Sequence, residues 1–363
     1  MTHAPTPKHG ILSIAPYVGG KSSVAGVSKI IKLASNENPW GASPKASAAF
    51  AAMAAQLHRY PDGAHASLRE AIGKTYQLPA EQLICGSGSD ELIGLLIHAY
   101  AGKGDEVLMS KHGFLMYKLY ALGNSADVVM AVEKNLHADV DALLAAVTPR
   151  TKIVFLANPN NPTGTYIPYT EVQRLRAGLR ADIILGLDAA YAEYMQAEDY
   201  DTGYALVRES NTVVMHTFSK IYGIPALRLG WAYGPPEIID VLNRVRGPFN
   251  VNAAALAAGI AAVEDQEYVK HIIARNRAER ERVARALHAH GLEVLPSHTN
   301  FVLVKFGSKA ADANQFLQSH GIIIRDVQAY GLPEYLRISI GTEEENTALL
   351  EALAQFFSGA KAA

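Results

Sequence analysis

The chain has 363 residues, 49% of them hydrophobic and 19% charged, which is the make-up of a folded globular protein with room for one large and one smaller domain. Its 33 Lys and Arg nearly balance 35 Asp and Glu, so no strong field draws nucleic acid or an anionic membrane surface. A single cysteine, Cys85, excludes an internal disulfide, and 13 scattered histidines with no HExxH or Cys/His spacing leave no metal site to expect.

Met1 to Pro7 lacks the apolar run of a signal peptide, and no later stretch is apolar enough to cross a bilayer, so a cytoplasmic protein is expected. Residues 1–40 carry Pro, Gly and Ser punctuation and read as an irregular N-terminal arm. Residues 41–247 read as a large domain. Short β-branched runs recur at Leu83-Ile84-Cys85, Glu106 to Met109, Val128 to Met130, Lys152 to Leu156, Ile183 to Leu187 and Thr212 to Met215. They lack strict alternation, as expected of strands buried on both faces, and helical stretches such as Asp90 to Tyr100 and Tyr169 to Leu179 lie between them. The expected fold is α/β: a mostly parallel sheet, seven-stranded in type, flanked by helices. Residues 248–363 read as a smaller α+β C-terminal domain. A helix from Pro236 to Arg246 leads to an Ala-rich, charged helical region reaching about His290. A strand at Asn300 to Lys305, a helix at Ala310 to Ser319 and two apolar runs, Ile322 to Arg325 and Tyr335 to Ile340, complete it.

Open α/β sheets bind ligands at the carboxyl ends of their strands, and polar residues follow several of these runs. Asn158-Pro159-Asn160-Asn161-Pro162-Thr163-Gly164 follows one; Asp188, with Tyr191 behind it, follows another; Ser219-Lys220 follows a third, and Arg228 lies in the next segment. Gly86-Ser87-Gly88-Ser89-Asp90-Glu91 enters a helix, where exposed N–H groups favour a phosphate. It lacks the third glycine of the dinucleotide fingerprint, which disfavours a nicotinamide site.

In order and spacing these segments resemble the class II aminotransferases among the fold-type-I pyridoxal-phosphate enzymes, from Leu33-Ala34-Ser35-Asn36-Glu37-Asn38-Pro39 to Leu336-Arg337-Ile338-Ser339. Ala15-Pro16-Tyr17, Arg59-Tyr60-Pro61-Asp62 and two late arginines make the chain most similar to the histidinol-phosphate aminotransferase family. The resemblance implies pyridoxal 5'-phosphate held by Lys220 as a Schiff base, with the freed amine moving a proton afterwards. It implies that Asp188 holds the pyridine nitrogen protonated, and that Tyr191 and Asn161 bind the ring's phenolic oxygen. Ser89 and Asp90 offer backbone N–H groups to the phosphate, Ser219 a hydroxyl and Arg228 a guanidinium, while Phe114 stacks on the ring. Tyr60 reaches the phosphate from a partner subunit, which implies a homodimer with shared sites. Tyr17, Asn36, Arg325 and Arg337 are substrate-binding positions. The implied partners are a small-molecule amino donor and a 2-oxo acid, with neither nucleic acid nor membrane.

Bland readings stand beside several of these. Asp188 also fits a helix N-cap, Asn161 a turn before proline, Phe114 a core position, and the glycine turn a plain strand–helix connection. The chain departs from the family pattern at Ala189, where glutamate is usual, at Pro225-Ala226 ahead of Arg228, and at His112-Gly113 ahead of Phe114. The expected activity is interconversion of histidinol phosphate and 2-oxoglutarate with imidazole-acetol phosphate and glutamate. An aromatic amino acid aminotransferase with the same residues, a threonine-phosphate-decarboxylase-like lyase and a non-catalytic cofactor-binding regulator stay open as alternatives.

Overall fold

The computed structural model describes residues 5–16, 21, 23, 24, 26 and 29–359. Tyr17 lies outside them. Fourteen strands are described: β1 (Ile31–Leu33), β2 (Leu83–Gly86), β3 (Glu106–Ser110), β4 (Asp127–Ala131), β5 (Glu133–Lys134), β6 (His137–Ala138), β7 (Thr151–Ala157), β8 (Ile184–Asp188), β9 (Thr212–Thr217), β10 (Gly230–Tyr233), β11 (Glu293–Val294), β12 (Phe301–Lys305), β13 (Ile322–Asp326) and β14 (Tyr335–Ser339).

Seven of them form one sheet in the order β2-β10-β9-β8-β7-β3-β4. All its ladders are parallel except those of β10, which runs antiparallel to both neighbours. This is the α/β sheet expected from the sequence. Its strands show no alternation because both faces are covered. Leu83, Cys85, Leu108, Val154, Leu156, Leu185, Leu187 and Val214 point into one core. The intervening Ile84, Val107, Met109, Ile153, Phe155, Ile184, Val213 and Met215 point into another. The period of two is present, but each face of the central strands meets helices, so their middle positions are apolar on both sides.

A second sheet, in the order β1-β13-β14-β12-β11, packs Leu33, Val302, Val304, Ile322, Ile324, Leu336 and Ile338 against the helix pair Ala310–Ser319 and Glu343–Gly359. Its first strand is a correction to the sequence reading, which took residues 1–40 as irregular throughout. Ile31–Leu33 pairs in parallel with β13, and three residues are too few to announce a period. β10 was also missed, because Gly230-Trp231-Ala232-Tyr233 opens on a glycine and carries no β-branched residue. That glycine is required: a Cβ on Gly230 would lie 2.3 Å from the Ser89 nitrogen.

The Ala-rich region divides into two helices, Ala253–Glu264 and Gln266–Ala289, because Asp265 leaves helical geometry at ψ 62°. Asn252 caps the first by accepting from the Ala255 N–H at 2.8 Å. Ala255, Leu256, Ala258, Ala262 and Val263 pack in the same core as β8 and β9. The second helix serves two cores, with Val269 and Ile272 in that one and Val283 and Leu287 under the second sheet. Among the described residues no helix is long and apolar enough to cross a membrane.

Candidate active site

The parallel strands β3, β7, β8 and β9 all release their chain at one edge of the large sheet, where a cleft of about 250 Å³ opens. Asp188 is the last residue of β8 and lies at its floor, 5% exposed. Burial raises its carboxyl pKa, against the lowering effect of two donors: the Tyr117 hydroxyl at 2.6 Å and the Ala190 N–H at 3.1 Å. The carboxylate therefore sits where a proton or a cationic ring nitrogen stabilises it. Tyr117 itself stacks on Phe155 at 4.5 Å, and burial holds its phenol well above the usual value, so it stays a donor.

Beyond β9, Thr217 leads into the turn that carries Ser219 and Lys220. The Gly223 N–H donates to the Lys220 carbonyl at 3.1 Å, and the Ser219 N–H to Thr217 Oγ1 at 3.1 Å. Gly223 has φ 68°, and a Cβ there would lie 2.1 Å from the Gly41 carbonyl oxygen, so the turn is pressed onto the N-terminal segment. Asn38 fastens it further through Nδ2 to the Ile221 carbonyl at 3.0 Å. Lys220 Nζ points into the cleft, 3.3 Å from the Ser35 carbonyl and 5.8 Å from the centre of the Tyr191 ring. Burial, then the Arg337 cation, bring its amine down to about 8, although Asp90 and Glu37 pull the other way.

At one end of the cleft, Gly88 enters the helix Ser89–Tyr100 with φ 85°, and a Cβ on it would lie 2.6 Å from Arg228 Nη2. Arg228 donates from Nη1 to Ser219 Oγ at 3.3 Å and places Nη2 3.6 Å from Asp90 Oδ2. The first N–H groups of a helix have no partner within it. Helix N-terminus, hydroxyl and guanidinium thus converge on one space that suits an anion of phosphate size.

At the other end, Tyr191 accepts from Asn36 Nδ2 at 2.9 Å, and Asn36 is locked to Ser339 by two bonds of 2.9 Å. Asn36 has φ 55°, a left-handed conformation that asparagine tolerates. Arg337 donates to Asn161 Oδ1 and, at 2.8 Å, to the Ala34 carbonyl, with its guanidinium 5.2 Å above Phe301. Phe114, Asn161, Ser35 and Glu37 complete the wall.

Most of the residues singled out in the sequence are thereby brought together: Ser89, Asp90, Phe114, Asn161, Asp188, Tyr191, Ser219, Lys220 and Arg228 line the cleft, and Asn36 and Arg337 contact its walls through Tyr191 and Asn161. Arg325 does not line it; it is the register partner of Arg337 across β13 and β14, on the same face of the sheet. Tyr60 is not brought there within one chain. It is 83% exposed and stacks on Phe249 at 4.8 Å on a different surface. Residues that sequence reasoning missed are Tyr117, the Ser35 carbonyl and Glu37. Tyr117 lies three positions beyond Phe114, on the same helical face, but that spacing alone does not set it apart from a core tyrosine. Cys85 is fully buried and its thiol is pushed up to about 12, as befits inert core filling.

The model of the family "Aminotransferase class I and II" matches residues 28–353. Histidinol-phosphate aminotransferase of Paramagnetospirillum magneticum is 55% identical over 358 residues, covering 97% of this chain and 99% of the relative. That of Rhodospirillum rubrum is 54% identical, covering 98% of each. Among solved structures, the Sinorhizobium meliloti histidinol-phosphate aminotransferase in complex with pyridoxal-5'-phosphate superposes with a TM-score of 0.87 at 29% identity, over 92% of each chain. The chain belongs to the class I and II aminotransferases, in the branch that the histidinol-phosphate aminotransferases form.

Proposed function

We propose that this protein exchanges an amino group between histidinol phosphate and 2-oxoglutarate, giving imidazole-acetol phosphate and glutamate, with pyridoxal 5'-phosphate as its cofactor. The observation that carries the reading is one amine, brought to about 8, standing between a buried carboxylate and an anion cradle. The residues fit the cofactor. The space beside Gly88 is one that a Cβ would fill, Arg228 and Ser219 face it, and the buried Asp188 carboxylate needs a cationic partner. Ser89, Asp90, Ser219 and Arg228 would hold the phosphate, Phe114 and Ala190 border the ring, and Asn161 and Tyr191 serve its phenolic oxygen.

When bound, the cofactor supplies an electron sink for the carbanion at the substrate Cα. The chain's own side chains do the rest. Lys220 Nζ, neutral in a useful fraction at pH 7, acts as nucleophile and then moves the Cα proton. Asp188 would keep a proton on the ring nitrogen, and the Tyr117 hydroxyl holds Asp188 in place. Arg337 holds Asn161 at the cleft wall, and Arg325, its register partner on the same face, lies outside the cleft, where it would meet only an anionic end of the substrate that reaches beyond it. The protein works in the cytoplasm as a homodimer, in which the exposed surface of Leu57, Tyr60 and Phe249 is covered by a second copy and Tyr60 reaches the partner's phosphate.

A donor screen tests the reading. With cofactor-loaded protein and 2-oxoglutarate, kcat/KM for histidinol phosphate is expected to exceed that for tyrosine or phenylalanine by about 100-fold. Preference for an aromatic donor overturns the substrate, carbon dioxide release in place of amino transfer marks a lyase, and borohydride reduction must place the cofactor on Lys220.

A further inference from the structure

Behind the cleft, on the side away from solvent, lies a buried polar cluster to which the proposed chemistry gives no role. Glu193 Oε1 accepts from His216 Nδ1 at 2.9 Å and from the Tyr76 hydroxyl at 3.0 Å. His216 Nε2 meets the Tyr204 hydroxyl at 2.9 Å, and Trp231 stacks on the imidazole at 4.2 Å and 4°. The Tyr76 hydroxyl lies 2.6 Å from that of Tyr222. Since Tyr76 gives its proton to the carboxylate, Tyr222 is left to donate to Tyr76. Burial keeps the Tyr76, Tyr204 and Tyr222 phenols well above the usual range, so all three remain neutral donors. The His216 and Glu193 side chains are 1% and 8% exposed.

The places these residues occupy in the chain matter more than the bonds themselves. Glu193 is in the turn Ala192–Tyr194, directly after Tyr191. His216 is the penultimate residue of β9, four positions before Lys220, and Tyr222 is two positions after it. Tyr76 ends the helix Ala66–Tyr76. One carboxylate therefore ties together the turn behind Tyr191 and both ends of the turn that carries Lys220. From the opposite side that turn is held by Asn38 and by its contact with Gly41.

We propose that Glu193, acting through Tyr76 and Tyr222 on one arm and His216 on the other, is the positioning residue that fixes the Lys220 turn and keeps its amine aimed into the cleft and out of water. A buried carboxylate with two donors on a single oxygen holds its neighbours more rigidly than apolar packing does. Tyr222 transmits the constraint across only two peptide bonds. The proposal rests on the role given to Lys220 above.

The test reads the lysine directly, in cofactor-free protein, by the pH dependence of Lys220 acetylation followed by peptide mass spectrometry. The wild-type midpoint is expected near 8. Tyr222→Phe and Glu193→Ala are expected to move it up by about one unit as water reaches the loosened turn, with Glu193→Gln, which keeps an oxygen acceptor, moving it less. In the loaded enzyme the first two variants are expected to lower kcat about tenfold, with KM for the donor changed less than about twofold. An unmoved midpoint in folded Tyr222→Phe, whatever its melting temperature, overturns the proposal. If Glu193→Ala fails to fold, Tyr222→Phe decides alone, because it removes one oxygen and leaves the ring packed on Phe218 at 4.7 Å. Failure of the underlying reading shows separately, as wild-type protein that forms no cofactor adduct on Lys220.

Discussion

A lysine brought to about 8 inside the fold titrates in a window that surface lysines do not use. Below pH 8 the amine is charged in both folded and unfolded chains, and the folded state bears the full cost of burying it. Between pH 8 and about 10.5 the unfolded chain keeps a proton that the folded chain has lost, so stability rises with pH. The cofactor-free wild type is therefore expected to gain up to about 3 kcal/mol over Lys220→Met across that window, measured by urea unfolding at pH 7.5 and pH 10.5. A flat difference would show that the amine is not desolvated. Asp188→Asn, which keeps the shape and removes the charge, is expected to lower kcat by about 100-fold with far less effect on cofactor retention. Residues of this kind were legible in the sequence because each follows an apolar run at a strand's carboxyl end: Asn161 after β7, Asp188 after Ile184 to Leu187, Lys220 after Thr212 to Thr217. Tyr117 was not, because a tyrosine at helical spacing among Leu115, Met116 and Leu119 carries no polar flag of its own. The Ser35 carbonyl has no side-chain signal at all.

At the scale of elements, the anion cradle depends on Gly230, which holds its strand against the Ser89 backbone, and on Gly88, which leaves room for the Arg228 guanidinium. Gly88→Ala meets a left-handed φ and the Arg228 guanidinium at once, so cofactor affinity is expected to fall by about 10- to 100-fold, read by fluorescence titration, while the melting temperature drops only a few degrees. Retained affinity would show that Arg228 is free to move aside. The parallel strands were readable from composition alone, since doubly covered strands are continuous apolar runs. The two-residue strands β5, β6 and β11 escaped because they are too short to carry a pattern, and β1 and β10 because their local signals are weak, β1 for its length and β10 for its glycine. All are defined by what they pair with rather than by their own residues.

For the whole molecule, the cores bear on where the chain divides, which the sequence texture puts at 247. The helix Ala253–Glu264 shares a core with β8 and β9, and the following helix changes cores between Ile272 and Val283. We propose that the boundary between the two units falls there, within the helix Gln266–Ala289. Sequence alone does not place such a boundary, because an amphipathic helix shows which face is apolar, and not which neighbour covers it. Leu57 and Tyr60 are more than 80% exposed within one chain; the family resemblance singles out Tyr60, whereas nothing in the sequence singles out Leu57. In the homodimer proposed above, Leu57→Asp is expected to shift the equilibrium toward monomer at micromolar concentration in sedimentation velocity, with cofactor lost in step. A dimer that persists with full cofactor would place the interface elsewhere.

The pairing of β1 with β13 also bears on how the protein is made. Asn36 leaves the ribosome 303 residues ahead of Ser339, yet it is fixed by Ser339 and the neighbouring strand lies against residues 322–324. Synthesis at about 5 to 20 residues per second leaves that early segment waiting many seconds for its partner. The large sheet can form in the meantime, but the cleft gains its Asn36–Tyr191 wall only once residue 339 has emerged. A nascent chain arrested short of that point holds Lys220 in a half-built pocket, and catalytic competence waits on residue 339.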